Sequence, residues 1–84
     1  MDQVNVIDKL SSKVKLVRVE YDYTQDQMAA VLGISKKTLV QIEKSRIKAN
    51  WTTIVALCAL FRSSEIIQNV IGEDVIECIE TIAH

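Results

Sequence analysis

The side chains best suited to bind another molecule are concentrated in one short segment, residues 35–48. This segment has five cationic side chains and one carboxylate, a net charge of +4, whereas residues 49–84 have one arginine and five carboxylates, a net charge of −4. The five cations are Lys36, Lys37, Lys44, Arg46 and Lys48. Because the two regions cancel, the whole chain carries a formal net charge of only −1. The sequence therefore predicts a surface that attracts phosphate beside a tail that repels it.

Residues suited to catalysis or metal binding are scarce. The sole histidine is His84, so a Ser/His or Cys/His pair within the body of the chain is excluded, and no Gly-rich phosphate loop is present. Cys58 and Cys78 lack the CxxC spacing of a zinc site. We predict that the protein is not an enzyme, that it has no metal site and no cofactor, and that both cysteines are reduced.

The composition predicts a small all-α domain. The chain has 84 residues, of which 49% are hydrophobic and 25% charged, with two glycines and no proline. A β-rich fold would need more turn residues. The longest apolar run, residues 54–61, is too short for a bilayer, which requires about 20 residues. The charged N-terminal stretch does not resemble a secretory signal, so we expect a cytoplasmic protein without a membrane partner.

Helix signals divide the chain into short segments. Apolar residues at three-to-four-residue spacing predict one amphipathic helix over Val4–Val19. Thr24 and Gln27 form a capping-box pattern at the start of a second helix, which should end at Gly33. Ser35 is the predicted N-cap of a third helix, from Lys36 to about Lys44.

Three further helices are predicted after the basic segment. Asn50 is the expected N-cap of a helix that extends to about Phe61. A short helix should cover Glu65–Ile71, with Ser63 or Ser64 as its cap, and Asp74–Ala83 is predicted to be the last amphipathic helix.

The second and third predicted helices satisfy the requirements of a helix-turn-helix unit. Ala29 and Ala30 are small enough for a close helix crossing, and Gly33 permits a tight turn. Leu39 and Ile42 should face the core, which leaves the polar face of the third helix outward.

This central segment resembles the Cro/phage-repressor (Xre-like) helix-turn-helix family. The shared residues are Arg18, Thr24, Gln25, an alanine in the second helix, Gly33-Ile34-Ser35 and Ile42-Glu43. The resemblance covers roughly residues 7 to 61. It implies a lambda-repressor-like bundle of five to six short helices with an extra C-terminal amphipathic helix. Residues 1–62 would be the DNA-binding domain, and residues 63–84 a helical extension of the same compact unit.

The resemblance assigns base contacts in double-stranded DNA to the third helix. The residues concerned are Lys36, Lys37, Gln41 and, at a thymine methyl group, Thr38. Lysine can donate to guanine O6 and N7, and glutamine can pair with adenine. The alternative is an ordinary solvated helix face.

Phosphate contacts are predicted on either side of this helix. The candidates are Gln25, Ser35, Lys44, Arg46 and Lys48. Gln25 lies in a first helical turn, where free N–H groups favour anions, and the three cations follow the third helix. The alternative is a solvated basic loop.

Other residues have predicted structural roles. Arg18 and Glu43 match the family's ion pair, which the sequence alone leaves either buried or exposed. Ser45 stands where the family usually has glycine, and a left-handed backbone there would cost about 1 kcal/mol. Trp51 is expected to pack at the core, with a phosphate contact as the alternative.

The C-terminal region has more apolar surface than a small core can cover. The predicted dimer-interface residues are Val75, Ile76, Ile79 and Ile82, and an enlarged monomer core is the alternative. The resulting hypothesis is a homodimeric, sequence-specific DNA-binding transcriptional regulator of the repressor type. A bound dimer would either exclude polymerase or position it. The competing hypothesis is a helix-turn-helix protein-interaction module, such as an antitoxin or anti-repressor, whose main partner is another protein.

Overall fold

The computed structural model of the protein describes residues 3–69 as a bundle of short helices. The helices are α1 (Gln3–Ser11), α2 (Val14–Glu20), α3 (Gln25–Leu32), α4 (Lys36–Glu43) and α5 (Trp51–Leu60). Residues 65–69 are also helical, and no strand occurs between residues 3 and 69. The all-α helix-turn-helix class predicted from the sequence is confirmed.

The prediction of one helix over Val4–Val19 is wrong, because the chain breaks into α1 and α2. At the break, the Ser12 hydroxyl donates to the Lys9 carbonyl at 2.8 Å, and the Lys13 N–H donates to the Leu10 carbonyl at 3.0 Å. Serine side chains that bond to the backbone compete with helix continuation. The apolar spacing nevertheless runs across the break, because both helices bury their apolar faces in the same core.

The predicted caps of α3, α4 and α5 are confirmed. Thr24 and Gln27 form both bonds of the capping box, and Gly33 ends α3 with a left-handed φ of 72°. The Ser35 hydroxyl accepts from the Thr38 N–H, and the Asn50 side chain accepts from the Thr53 N–H. These bonds satisfy N–H groups that have no partner within the first helical turn.

All five helices contribute side chains to one core. Leu39 and Ile42 are buried, and Ala29 is buried at the crossing of α3 and α4. Ala30, predicted to pack at the same crossing, is exposed. Of the two alanines predicted to pack at this crossing, only Ala29 is buried.

Contacts between distant residues close the bundle. The Ser11 hydroxyl accepts from the buried Ala49 N–H at 2.9 Å, which fixes the end of α1 to the start of α5. Tyr21 and Tyr23 pack edge-on against Phe61, with ring centroids 4.8 and 5.9 Å away.

The residues that follow α5 also join the core. Ile67 is fully buried, and the Ser64 hydroxyl donates to Glu20, whose carboxylate also accepts from the Glu65 N–H at 3.0 Å. The predicted helix over Asp74–Ala83 lies outside the described residues. The predicted dimer residues Val75, Ile76, Ile79 and Ile82 lie there as well.

Candidate nucleic-acid interface

Helix α4 is fixed by its apolar side and presents its polar side to solvent. Leu39 and Ile42 are 0% and 2% exposed, so α4 cannot rotate about its axis without exposing them. Lys36 and Lys37 are exposed in the first turn, and Gln41, one turn later, is half-buried. The arrangement supplies ammonium and amide donors from one rigid element, which suits the edges of bases in a major groove.

Ser35 and Thr38 bond to each other at the start of α4. The Ser35 hydroxyl donates to Thr38 Oγ1 at 2.9 Å and accepts from the Thr38 N–H at 3.1 Å. Thr38 is half-buried, whereas Ser35 is exposed. Both side chains thus help to define the first turn of α4, from which Lys36 and Lys37 project.

The link after α4 keeps three cations exposed. These are Lys44, Arg46 and Lys48. Its path is set by Ser45, which has a φ of 60°, and by the Arg46 N–H, which donates to the Gln41 carbonyl at 2.9 Å. Ser45 therefore adopts a left-handed conformation, at the position where the family that the sequence resembles usually has glycine. The bond from Arg46 keeps the start of the link against the end of α4.

Two lysines of the basic surface, the exposed cations of residues 35–48, lie near carboxylates. Lys36 Nζ lies 3.5 Å from Asp26 Oδ2 in the first turn of α3, and Lys48 Nζ lies 3.9 Å from Asp8 Oδ1 in α1. All four side chains are more than half exposed. Within residues 3–69, Lys37, Lys44 and Arg46 form no ion pair. Asp26 and Asp8 therefore balance only part of the positive charge of this surface.

A mostly buried polar network joins α2, α3 and α4. Arg18 Nε donates to Glu43 Oε2 at 2.8 Å and Arg18 Nη2 donates to Oε1 at 3.2 Å, and the two side chains are 15% and 4% exposed. Arg18 Nη1 also donates to the Tyr23 carbonyl at 3.0 Å. Gln25 Nε2 donates to Glu43 Oε1 at 3.2 Å. An amide nitrogen has two hydrogens, so Gln25 keeps a second one that can be donated elsewhere.

The sequence reasoning missed the bond between Gln25 and Glu43. These residues are 18 positions apart, and glutamine in a first helical turn is equally compatible with a solvated side chain. The only available signal was the expected ion pair of Arg18 with Glu43, which would bring the end of α4 toward the segment before α3.

Two other residues of chemical interest belong to the core. Trp51, in the first turn of α5, is half-buried and packs against the apolar cluster. Cys58 is buried, and desolvation raises the pKa of its thiol from 9.0 to about 11. Within residues 3–69 no group of three or more His, Cys, Asp or Glu side chains could hold a metal ion. None of the helices in that range is long and apolar enough to span a membrane.

Comparison with known proteins gives one match. A family model described as helix-turn-helix matches residues 14–66, which include α2, the α3–turn–α4 unit, α5 and the buried Ser64. No curated protein and no solved structure matches the chain.

Proposed function

This chain belongs to the helix-turn-helix family that its sequence resembles, the Cro/phage-repressor (Xre-like) DNA-binding regulators, and we propose that it reads a specific duplex sequence with α4. The observation that carries the proposal is the fixed orientation of α4. Leu39 and Ile42 anchor α4 in the core, while Lys37 and Gln41 lie on its accessible side. Side chains on such a rigid support lose little freedom when they contact bases.

Base recognition in this proposal rests on Lys37 and Gln41. Lysine donates to guanine O6 and N7, and glutamine pairs with adenine N6 and N7. Each such contact contributes roughly 1–3 kcal/mol of discrimination against a wrong base. Lys36 and Thr38 lie on the same turn and would contribute neighbouring contacts.

Phosphate contacts are proposed at both edges of α4. On one side, the second amide hydrogen of Gln25 and the exposed Ser35 hydroxyl are available at the starts of α3 and α4. On the other side, Lys44, Arg46 and Lys48 follow the link after α4. Contacts of this kind fix the register of the protein on the duplex without selecting a sequence.

We further propose that the protein acts as a homodimeric repressor in the cytoplasm, without cofactor or catalysis. A dimer would match two half-sites about 34–36 Å apart on one face of the DNA. Its interface is proposed at Val75, Ile76, Ile79 and Ile82, and bound dimers would block access of polymerase.

Selection of bound sequences from a random duplex pool tests this function. A recovered palindromic motif supports a dimeric regulator, and a single half-site supports a monomeric one. Recovery without any sequence preference, together with salt-independent binding, would contradict DNA recognition. That result would favour the competing function, a protein-interaction module such as an antitoxin or anti-repressor.

A further inference from the structure

The two ion pairs at the edges of the basic surface have a consequence for DNA binding. Asp26 and Asp8 lie within 4 Å of Lys36 and Lys48, two of the five cations in residues 35–48. We propose that Asp26 and Asp8 are internal competitors of DNA, which hold Lys36 and Lys48 back from the anionic surface of the duplex. The inference rests on the proposed DNA-binding function and adds two residues that limit the affinity for DNA.

The physical basis is the exchange of counterions. When a free lysine binds a phosphate, the DNA releases about 0.9 of a condensed cation, and this release drives association. A lysine that first leaves a carboxylate exposes that carboxylate, which attracts a cation in return. The net release is then smaller, and the energy of the broken ion pair is lost.

Geometry makes Asp26 the stronger of the two competitors. Its Oδ2 is 3.5 Å from Lys36 Nζ, compared with 3.9 Å between Asp8 Oδ1 and Lys48 Nζ. Asp26 also lies in the first turn of α3, beside the start of α4, so its charge repels any phosphate that approaches Lys36. By contrast, Lys44 and Arg46, which are proposed phosphate contacts and form no ion pair within the described residues, carry the backbone attraction.

The test measures binding of the full chain to a random-sequence duplex over a series of salt concentrations. Asp26→Asn should raise the affinity at low salt about two- to fivefold, since exposed ion pairs are weak. It should also steepen the salt dependence by up to about 0.9 in the slope of log K against log salt. Asp8→Asn should act in the same direction with a smaller effect.

Two comparisons separate the ion pair from a general change of charge. In a Lys36→Gln background, Asp26→Asn should change the affinity by less than about half of its effect in the wild type. Asp22→Asn removes the same charge from the turn between α2 and α3, and asparagine tolerates the left-handed φ of 57° found there. Asp22→Asn should change the affinity and the salt dependence less than Asp26→Asn does.

The outcomes distinguish the inference from the function on which it rests. Equal effects of Asp26→Asn in the wild type and in the Lys36→Gln background would overturn the inference and leave DNA binding intact. A wild-type chain that does not bind duplex DNA would overturn both.

Discussion

The Glu43 carboxylate at the end of α4 accepts two hydrogen bonds from the Arg18 guanidinium of α2, from Nε at 2.8 Å and from Nη2 at 3.2 Å. The Glu43 side chain is only 4% exposed, so water cannot replace Arg18 as its partner. Of the two possibilities that the sequence leaves open, the structure has the buried form. The pair ties α4 to the helix that precedes the helix-turn-helix unit.

Loss of Arg18 should therefore destabilise the fold strongly. Arg18→Ala leaves an uncompensated buried carboxylate, and we expect a loss of about 3–5 kcal/mol in the free energy of unfolding. Urea denaturation followed by circular dichroism measures it. The double variant Arg18→Ala/Glu43→Gln should recover part of this loss, because it removes the charge. A loss below 1 kcal/mol in Arg18→Ala would place the pair effectively in solvent.

Ser45 offers a stabilising substitution. Its φ of 60° is costly for a residue with a Cβ atom, so Ser45→Gly should raise the free energy of unfolding by about 1 kcal/mol. Ser63→Gly is the matched control, because Ser63 is exposed and has no positive φ. The control should be neutral or destabilised, since glycine has more conformational freedom in the unfolded chain. Urea denaturation of both variants measures the effect, and equal shifts of their denaturation midpoints from that of the wild type would contradict this explanation.

Local features of the fold are those that the sequence predicts best. The capping box at Thr24 and the caps at Ser35 and Asn50 depend on residues three positions apart, and Gly33 acts through its own backbone. Such interactions need no knowledge of the tertiary structure. The break between α1 and α2 is a local feature that nevertheless escapes prediction, because the apolar period continues unchanged across it.

Contacts between distant residues could not be predicted in the same way. The packing of Tyr21 against Phe61 and the bond from the Ala49 N–H to Ser11 depend on how α1, α2 and α5 are arranged. At the candidate site, the residue types of α4 indicate its exposed face. The pairing of Lys36 with Asp26 instead requires the crossing of α3 and α4.

Burial of Cys58 predicts a specific pH dependence of stability. The pKa of the folded thiol is about 11, against 9.0 for an ordinary thiol. As pH rises between these values, the unfolded chain loses the proton while the folded chain keeps it, so the stabilisation from the neutral buried thiol is lost. The difference in unfolding free energy between wild type and Cys58→Ala should therefore narrow from pH 9 to pH 11.

Denaturation of both proteins across that range provides the measurement. Every other ionisable group is present in both chains, so the contributions of these groups cancel in the difference. A difference that stays constant from pH 8 to pH 11 would show that the thiol is solvated in the folded state.

Arg46 should affect DNA binding without affecting sequence preference. Arg46→Gln is expected to reduce the slope of log K against log salt by about 0.9, because one phosphate contact is lost. Lys15→Gln removes the same charge from an exposed position on α2 and should leave the slope nearly unchanged. Fluorescence anisotropy with a random-sequence duplex over a salt series compares the two. Equal slopes for Arg46→Gln and the wild type would argue against a phosphate contact.

Gln41 should have the opposite signature, a loss of sequence preference with little change in salt dependence. Gln41→Ala removes an amide from the accessible side of α4, where the proposed bidentate pair with adenine would discriminate by about 1–3 kcal/mol. Because its backbone carbonyl still accepts from the Arg46 N–H, the link after α4 should keep its path. Selection from a random duplex pool should then show relaxed preference at one base pair of each half-site, whereas Arg46→Gln should select the wild-type motif. An unchanged motif for Gln41→Ala would remove Gln41 from base recognition and leave Lys37 as the main candidate on α4.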